Sequence, residues 1–358
     1  MGKNSYRAQL NYYDSEWGWK SEGTASQGQW DGTGVRTGVL YFPGLAALKG
    51  KIINSVKLTA TTGQTGYGTA TTKTVYIYNS ASQGGIKTSL NAGHRTGNAL
   101  GSCKAPMWDN TKTFDVAFMA ASIAAGYDTY CIYNGSSYTD YLKWTAVTLE
   151  VDWQEPATQP SLTAATVEMG KSVTINTPAV NSAYKHTLRY AFGSASGTIA
   201  TDIASSVSWT PPVSLANQIP SATAGSGTIY CDTYSGSTLL GTKSVSITLT
   251  VPGSVVPSAG TLSAALAEDT SGTGLYVKGM GKAKLTLSGA SGAYGSSITS
   301  YTITGGGWTA TNGALTTGTL ASAGNITFTA TVTDSRGRKA NTTRTISVID
   351  YTKPGVAF

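Results

Sequence analysis

Charge is scarce in this chain: 12% of its 358 residues are Asp, Glu, Lys or Arg, against roughly 25% in an ordinary soluble domain. Long runs of Ala, Glu, Lys, Leu and Arg are missing, which excludes coiled coils and helical bundles. Histidine occurs twice, as His94 and His186 in different segments, and no Ser-His-Asp or Cys-His grouping is recognisable. The three cysteines, Cys103, Cys131 and Cys231, are odd in number and far apart, so they form neither a disulfide framework nor a metal-ligand spacing. No apolar run approaches the ~18 residues of a membrane-spanning helix, so membrane insertion is not expected.

What replaces the missing charge is Thr, Ser, Gly, Ala and Tyr, the make-up of strands and turns. Hydrophobic residues at 40%, with 8 Trp and 20 Tyr, are enough to fill several cores, which argues against disorder. Such a composition is usual in extracellular β proteins. The start Met1-Gly-Lys-Asn-Ser-Tyr6 carries no apolar leader, however. The expectation is a chain made in a bacterial cytoplasm and released by lysis.

Proline clusters divide the sequence. Gln154–Pro160 and Val251–Pro257 each break a strand pattern and read as linkers, and Asp350–Pro354 repeats the arrangement. The expected segments are 1–153, 154–252 and 253–350, with a tail at 351–358. The net charge of +7 is spread over them: 13 cations against 10 acids in the first, four against four in the second, eight against four in the third. The one basic cluster, Arg336, Arg338 and Lys339, falls on a hairpin turn and reads as a solvated turn, not a nucleic-acid stripe.

The first segment alternates with period two, as in Val56, Leu58 and Ala60, in Val75 and Ile77, and in Val147, Leu149, Val151 and Trp153. One helical turn, Phe118 to Gly126, interrupts the strands. The pattern predicts a two-sheet jelly roll. The later segments show short alternating strands at the rhythm of immunoglobulin-like sandwiches, without the Cys…Trp…Cys core of antibody domains. The fold class expected is therefore all-β: an N-terminal jelly-roll sandwich followed by two immunoglobulin-like sandwiches in series.

Several stretches then carry a resemblance. Met169-Gly-Lys-Ser-Val-Thr-Ile175, His186-Thr-Leu-Arg-Tyr-Ala-Phe192, Ser208-Trp-Thr-Pro-Pro212, Ser300-Tyr-Thr-Ile-Thr304 and the Asp334-Ser-Arg-Gly337 hairpin resemble minor structural proteins of long-tailed bacteriophages. The first segment, through Tyr41-Phe-Pro-Gly-Leu45, Thr113-Phe-Asp-Val116 and Ala146–Trp153, is similar to jelly-roll modules used as carbohydrate-binding or adhesive domains. The resemblance implies a non-enzymatic virion protein of tail, fibre or surface. It would contact other virion proteins, act as a homo-oligomer, and have a host cell-wall glycan as a further partner. A bacterial adhesin or stalk fragment and a carbohydrate-active enzyme are the rival readings.

Aromatic residues are the leading binding candidates, since the first segment holds 6 of the 8 Trp and 12 of the 20 Tyr. Aromatic faces stack on sugar rings while amides, carboxylates and hydroxyls bond their hydroxyl groups. Trp17, Trp19, Trp30 and Asp31 form one candidate set; Tyr133, Asn134 and Tyr138, with Tyr141, form another. Trp17 and Trp19, two residues apart, read first as core-facing residues of one strand with an exposed platform as the alternative, and Trp144 and Trp153 read as core. Asp14, Glu22 and Asp31 could offer hard oxygen ligands to calcium, although their spacing matches no calcium loop; no other cofactor is expected. A glycosidase needs two carboxylates facing one cleft, for which Asp109 with Asp115, or Asp14 with Glu16, are the sequence candidates.

Overall fold

The computed structural model describes residues 2–30, 32, 34–66, 71–86 and 94–352. Its secondary structure is nearly all β, arranged in several sheets, and the chain separates into two compact units, Met1–Pro156 and Ala157–Phe358.

Among the described residues, eleven strands build the first unit: β1 (Gly2–Arg7), β2 (Gln9–Asp14), β3 (Gly18–Lys20), β4 (Ala25–Gln29), β5 (Val35–Tyr41), β6 (Ile52–Thr65), β7 (Thr72–Ser80), β8 (Arg95–Pro106), β9 (Asn110–Asp115), β10 (Thr129–Tyr133) and β11 (Leu142–Gln154). One sheet is centred on β11, which pairs with β6, β1 and β4, and β9 extends it beyond β6. The other runs from β8 through β7, β10 and β5 to β2 and β3. Strand β4 belongs to both, because Ala25–Gln27 pair with β11 while Gly28 and Gln29 pair with β5. Alternation explains the core: Val56, Leu58, Ala60, Val147, Leu149 and Val151 from one sheet meet Leu40, Val75, Ile77, Tyr130 and Ile132 from the other. The expected helical turn is α1 (Ala120–Ala124), continued from a 3₁₀ turn at Ala117–Met119 and stopped near Gly126, whose φ of +96° suits glycine.

Trp144 is fully buried in this core. Trp153 lies at its margin, where its indole N–H donates to Asn4 Oδ1 at 3.0 Å.

The second unit holds two sandwiches, each with its own core. The first faces a five-stranded sheet, ordered Thr166–Glu168, Thr238–Thr250, Ala224–Ser235, Tyr184–Phe192 and Ala195–Ile203, against a three-stranded one, Ser161–Leu162, Val173–Asn176 and Ser206–Trp209. Val167, Ile175, Leu188, Trp209, Ile229 and Leu249 fill the space between. The second sandwich faces strands Thr261–Asp269, Gly281–Ser288 and Ala314–Thr316 against Trp308–Ala310, Ile298–Gly305, Gly324–Asp334 and Lys339–Val348, around Leu285, Ile303 and Phe328.

Two expectations need correction here. The stretch Val251–Pro257 is not a loose linker: Val251 and Val255 are buried in the core of the first sandwich. The basic turn is not solvated either. Arg336 is buried, and with Arg338 it donates into backbone carbonyls on the far side of the junction. Lys339 alone of the three is exposed. A hairpin sequence cannot reveal what its tip will meet, and here the tip meets a set of backbone carbonyl oxygens, each with lone-pair capacity for a further donor.

Candidate functional site

The junction in the second unit is built from the Asp334-Ser-Arg-Gly-Arg338 turn upward. Gly337 has φ +77°, and the Asp334 carboxylate caps the turn by accepting the backbone N–H groups of Arg336 (3.0 Å) and Arg338 (2.9 Å). That cap aims both guanidinium groups. Arg336 donates to the carbonyls of Ala216 (2.8 Å) and Ile219 (3.2 Å) in the first sandwich, and to Ala293 (2.6 Å) and Tyr294 (2.7 Å) in its own. Arg338 donates to Val251 (2.7 Å), Val255 (2.6 Å) and Pro252. The planar five-donor guanidinium suits this task, which an ammonium could not duplicate. Burial holds Arg336 below the usual guanidinium range.

In the same unit His186 is fully buried on its strand, with Nδ1 2.9 Å from the Ile203 carbonyl and Nε2 2.8 Å from Thr158 Oγ1. Both ring nitrogens are thus held in the fold.

The first unit collects most of the candidate residues into two aromatic groups. In one, Trp30 lies 5.9 Å from Tyr138 and 4.8 Å from Tyr141, centroid to centroid, so the two candidate loops meet. Arg36 extends the group: its guanidinium carbon is 5.5 Å from the Tyr141 ring and 4.8 Å from the Tyr12 ring, and Nη1 donates to the Tyr141 hydroxyl at 3.2 Å. Behind it sits Asp14, wholly buried, whose Oδ2 accepts from Arg36 Nε at 2.9 Å. Its Oδ1 accepts the backbone N–H groups of Glu16 (3.0 Å) and Trp17 (3.3 Å). Burial pushes the Tyr12 phenol up to about 12, with Arg36 opposing that shift. The Tyr138 loop is pinned further by Asn134 Nδ2 donating to Asp140 Oδ1 (3.2 Å) and by the buried Lys73, whose Nζ donates to the Thr139 carbonyl (2.5 Å).

The second group covers the outer face of the β5–β10–β7 sheet. Trp19 and Tyr78 pack on the buried pair Val39 and Cys131, and Arg95 stacks 3.4 Å from the Tyr133 centroid. Trp17 and Trp19 therefore part company: Trp17 is 60% exposed in the β2–β3 turn, and Trp19 is half-buried. Neither points into the sandwich core, so the core-facing reading fails for both. Trp17 lies in the turn between the strands, and Trp19 pairs with Tyr13, which alternation puts on the face opposite to Leu10 and Tyr12.

Beside Trp19 a cleft of about 520 Å³ opens, lined by Arg7, Gln9, Asn11, Trp19, Ser21 and Thr145 among others. Sequence reading missed Arg7, Gln9, Asn11, Arg36 and Arg95. Of these, only the alternation of Gln9, Asn11 and Tyr13 opposite Leu10 and Tyr12 was a usable signal.

The calcium candidates do not assemble in the described residues. Asp14 is committed to Arg36, Glu22 sits 3.8 Å from Lys143, and Asp31 lies outside the described residues. Among the described residues no group of three or more His, Cys, Asp or Glu could hold a metal ion. Asp109 immediately precedes β9 and Asp115 ends it, six residues on, which puts them ~20 Å apart in an extended strand, beyond the reach of a glycosidase pair. Asp14 and Glu16 share a turn in which the Asp14 carboxylate is already spent on Arg36 and backbone.

Residues 147–358 match a family model described as siphovirus protein of unknown function (DUF859). No curated protein matches the chain in sequence. Among solved structures, the fibronectin(III)-like modules of Clostridium thermocellum CbhA align at 13% identity and a TM-score of 0.21, covering 54% of this chain and 95% of that one. The Endo-D glycoside hydrolase domain of Streptococcus pneumoniae R6 aligns at 9% identity and a TM-score of 0.20, covering 68% of this chain and 36% of that one. Scores at that level carry no argument about fold or activity.

Proposed function

Since the chain belongs to this family of siphovirus proteins, we propose that it is a non-enzymatic structural component of the particle of a long-tailed phage, a tail, fibre or surface protein. In this reading the second unit is a stiff supporting element and the first makes contact with host-surface glycan. The observation that carries it is the junction of Arg336 and Arg338, which ties two sandwiches together through backbone carbonyls. A support that must transmit position gains from such a junction, because each cross-junction hydrogen bond opposes bending. The concentration of Trp and Tyr in the first unit supports a contact role there. Its partners would be neighbouring virion proteins and further copies of itself, with assembly in the host cytoplasm and release by lysis.

Immunogold labelling of purified particles with antibody to this chain tests the reading. Label at a fixed position on every particle is expected; particles that lack the chain overturn it. Binding of the full chain to host cells, compared with cells stripped of surface polysaccharide, tests the glycan contact separately.

A further inference from the structure

The cleft beside Trp19 lies where the chain crosses between the two sheets of the first unit. Strand β1 ends at Arg7 paired to β11, Ala8 donates its N–H to the Val147 carbonyl at 2.9 Å, and β2 begins at Gln9 in the opposite sheet. That crossing places Arg7, Gln9 and Asn11 in succession along one edge. Trp19, on the hairpin partner of β2, forms another wall, and Ser21 and Thr145 bring hydroxyls. A volume of about 520 Å³ falls within the roughly 300–1,000 Å³ of small-ligand sites.

The lining has a specific chemistry. It combines one aromatic ring, two side-chain amides and two hydroxyls with a single cation, Arg7, and among the described lining residues no carboxylate. Glu22, next along from Ser21, pairs instead with Lys143. The indole N–H of Trp19 is buried without an acceptor among the described residues. By contrast, Trp30 packs on Tyr138 and Tyr141, and Tyr141 also carries Arg36, so this group serves to hold loops together.

Resting on the glycan contact proposed above, we infer that this cleft binds a saccharide bearing a negative charge, a uronate or a sugar phosphate. The Trp19 ring supplies a stacking surface, Gln9, Asn11, Ser21 and Thr145 bond hydroxyls, and Arg7 engages the anionic group. The net positive charge of the first unit favours approach of such a polymer, and added salt weakens it.

The test measures binding of the full chain to immobilised oligogalacturonate, to a sugar-substituted glycerol-phosphate polymer and to neutral dextran. One of the two anionic probes is expected to bind, and dextran is not. Affinity should fall about tenfold in Arg7→Glu and severalfold in Asn11→Ala, both at solvent-facing or half-buried positions, with Arg7→Lys recovering part of the loss. Trp108→Ala, on the exposed β8–β9 turn, should bind as the unaltered chain does. Equal binding to dextran overturns the anionic class. Binding that survives both cleft substitutions but is lost in Tyr138→Ala overturns the cleft and leaves the glycan contact standing. If neither anionic probe binds while host cells still do, only this inference fails; if polysaccharide-bearing cells fail too, the contact itself is overturned.

Discussion

Arg336 donates from Nη2 to the carbonyl oxygen of Ala216 at 2.8 Å, joining residues 120 positions apart across the junction of two sandwiches. Three more carbonyls, those of Ile219, Ala293 and Tyr294, accept from the same guanidinium. Its removal deletes four charge-assisted hydrogen bonds, two of them across the junction. Arg336→Ala should therefore destabilise the second unit by about 3 kcal/mol. Arg336→Lys should recover less than half, because three donors on a flexible stem cannot span four carbonyls. Urea denaturation of the full chain measures both, and an unchanged midpoint in Arg336→Ala contradicts the assignment.

Asp14 and Arg36 hold the Trp30 and Tyr141 loops from behind. Asp14→Asn keeps the shape but leaves the guanidinium, wedged between Tyr12 and Tyr141, without its counter-charge. Breaking a buried pair from one side costs about 3–5 kcal/mol, so a loss near the lower figure is expected, given that Arg36 keeps some solvent contact. Thermal melting of the full chain with and without the substitution provides the check.

Gly28 sits at φ +76°, and a Cβ there would lie 2.6 Å from the backbone carbon of Asp140. Gly28→Ala thus combines backbone strain with a backbone clash. A loss of more than about 1 kcal/mol is expected, with Tyr138 displaced from Trp30. Near-ultraviolet circular dichroism reads the change in the aromatic group directly.

All three cysteines are buried and unpaired. Burial pushes the thiols of Cys103 and Cys131 up to about 12 and that of Cys231 up to about 11. At pH 8 the thiolate fraction is then very small, and access is closed as well. The native chain should stay unlabelled by a thiol-reactive dye over minutes, and three thiols should react once it is unfolded in guanidinium.

The Asp232 carboxylate is held below the usual range, chiefly by the Arg189 guanidinium at 2.8 and 3.0 Å, with Thr242 adding a hydroxyl donor. Its stabilising contribution is present above the unfolded value near 4 and is lost as pH falls through the depressed folded value. Because Arg189 is about half exposed, the effect is modest, about 0.5–1 kcal/mol. Asp232→Asn should lower the midpoint of unfolding at pH 7 and narrow the gap between pH 7 and pH 3. An equal gap in both proteins rules this contribution out.

The sequence alone dictates the strand content and much of the inward-facing set. Val56, Leu58, Ala60, Val147, Leu149 and Val151 are inside because a strand alternates its faces, and alternation is a local property. It also dictates the sharp turn at Asp334–Gly337, where a short carboxylate and a glycine specify the backbone with no distant help. What that turn touches was not written locally. Arg336 reads as solvated until the second unit folds and brings carbonyl oxygens to its donors, which makes burial of a cation tolerable. The same holds in the first unit, where Arg36 joins Tyr12 to Tyr141, and Arg7 and Trp19 come to line one cleft, only after two sheets close on each other. Strand periodicity sets which side chains share a face; only the register and packing of distant strands decide which of them meet.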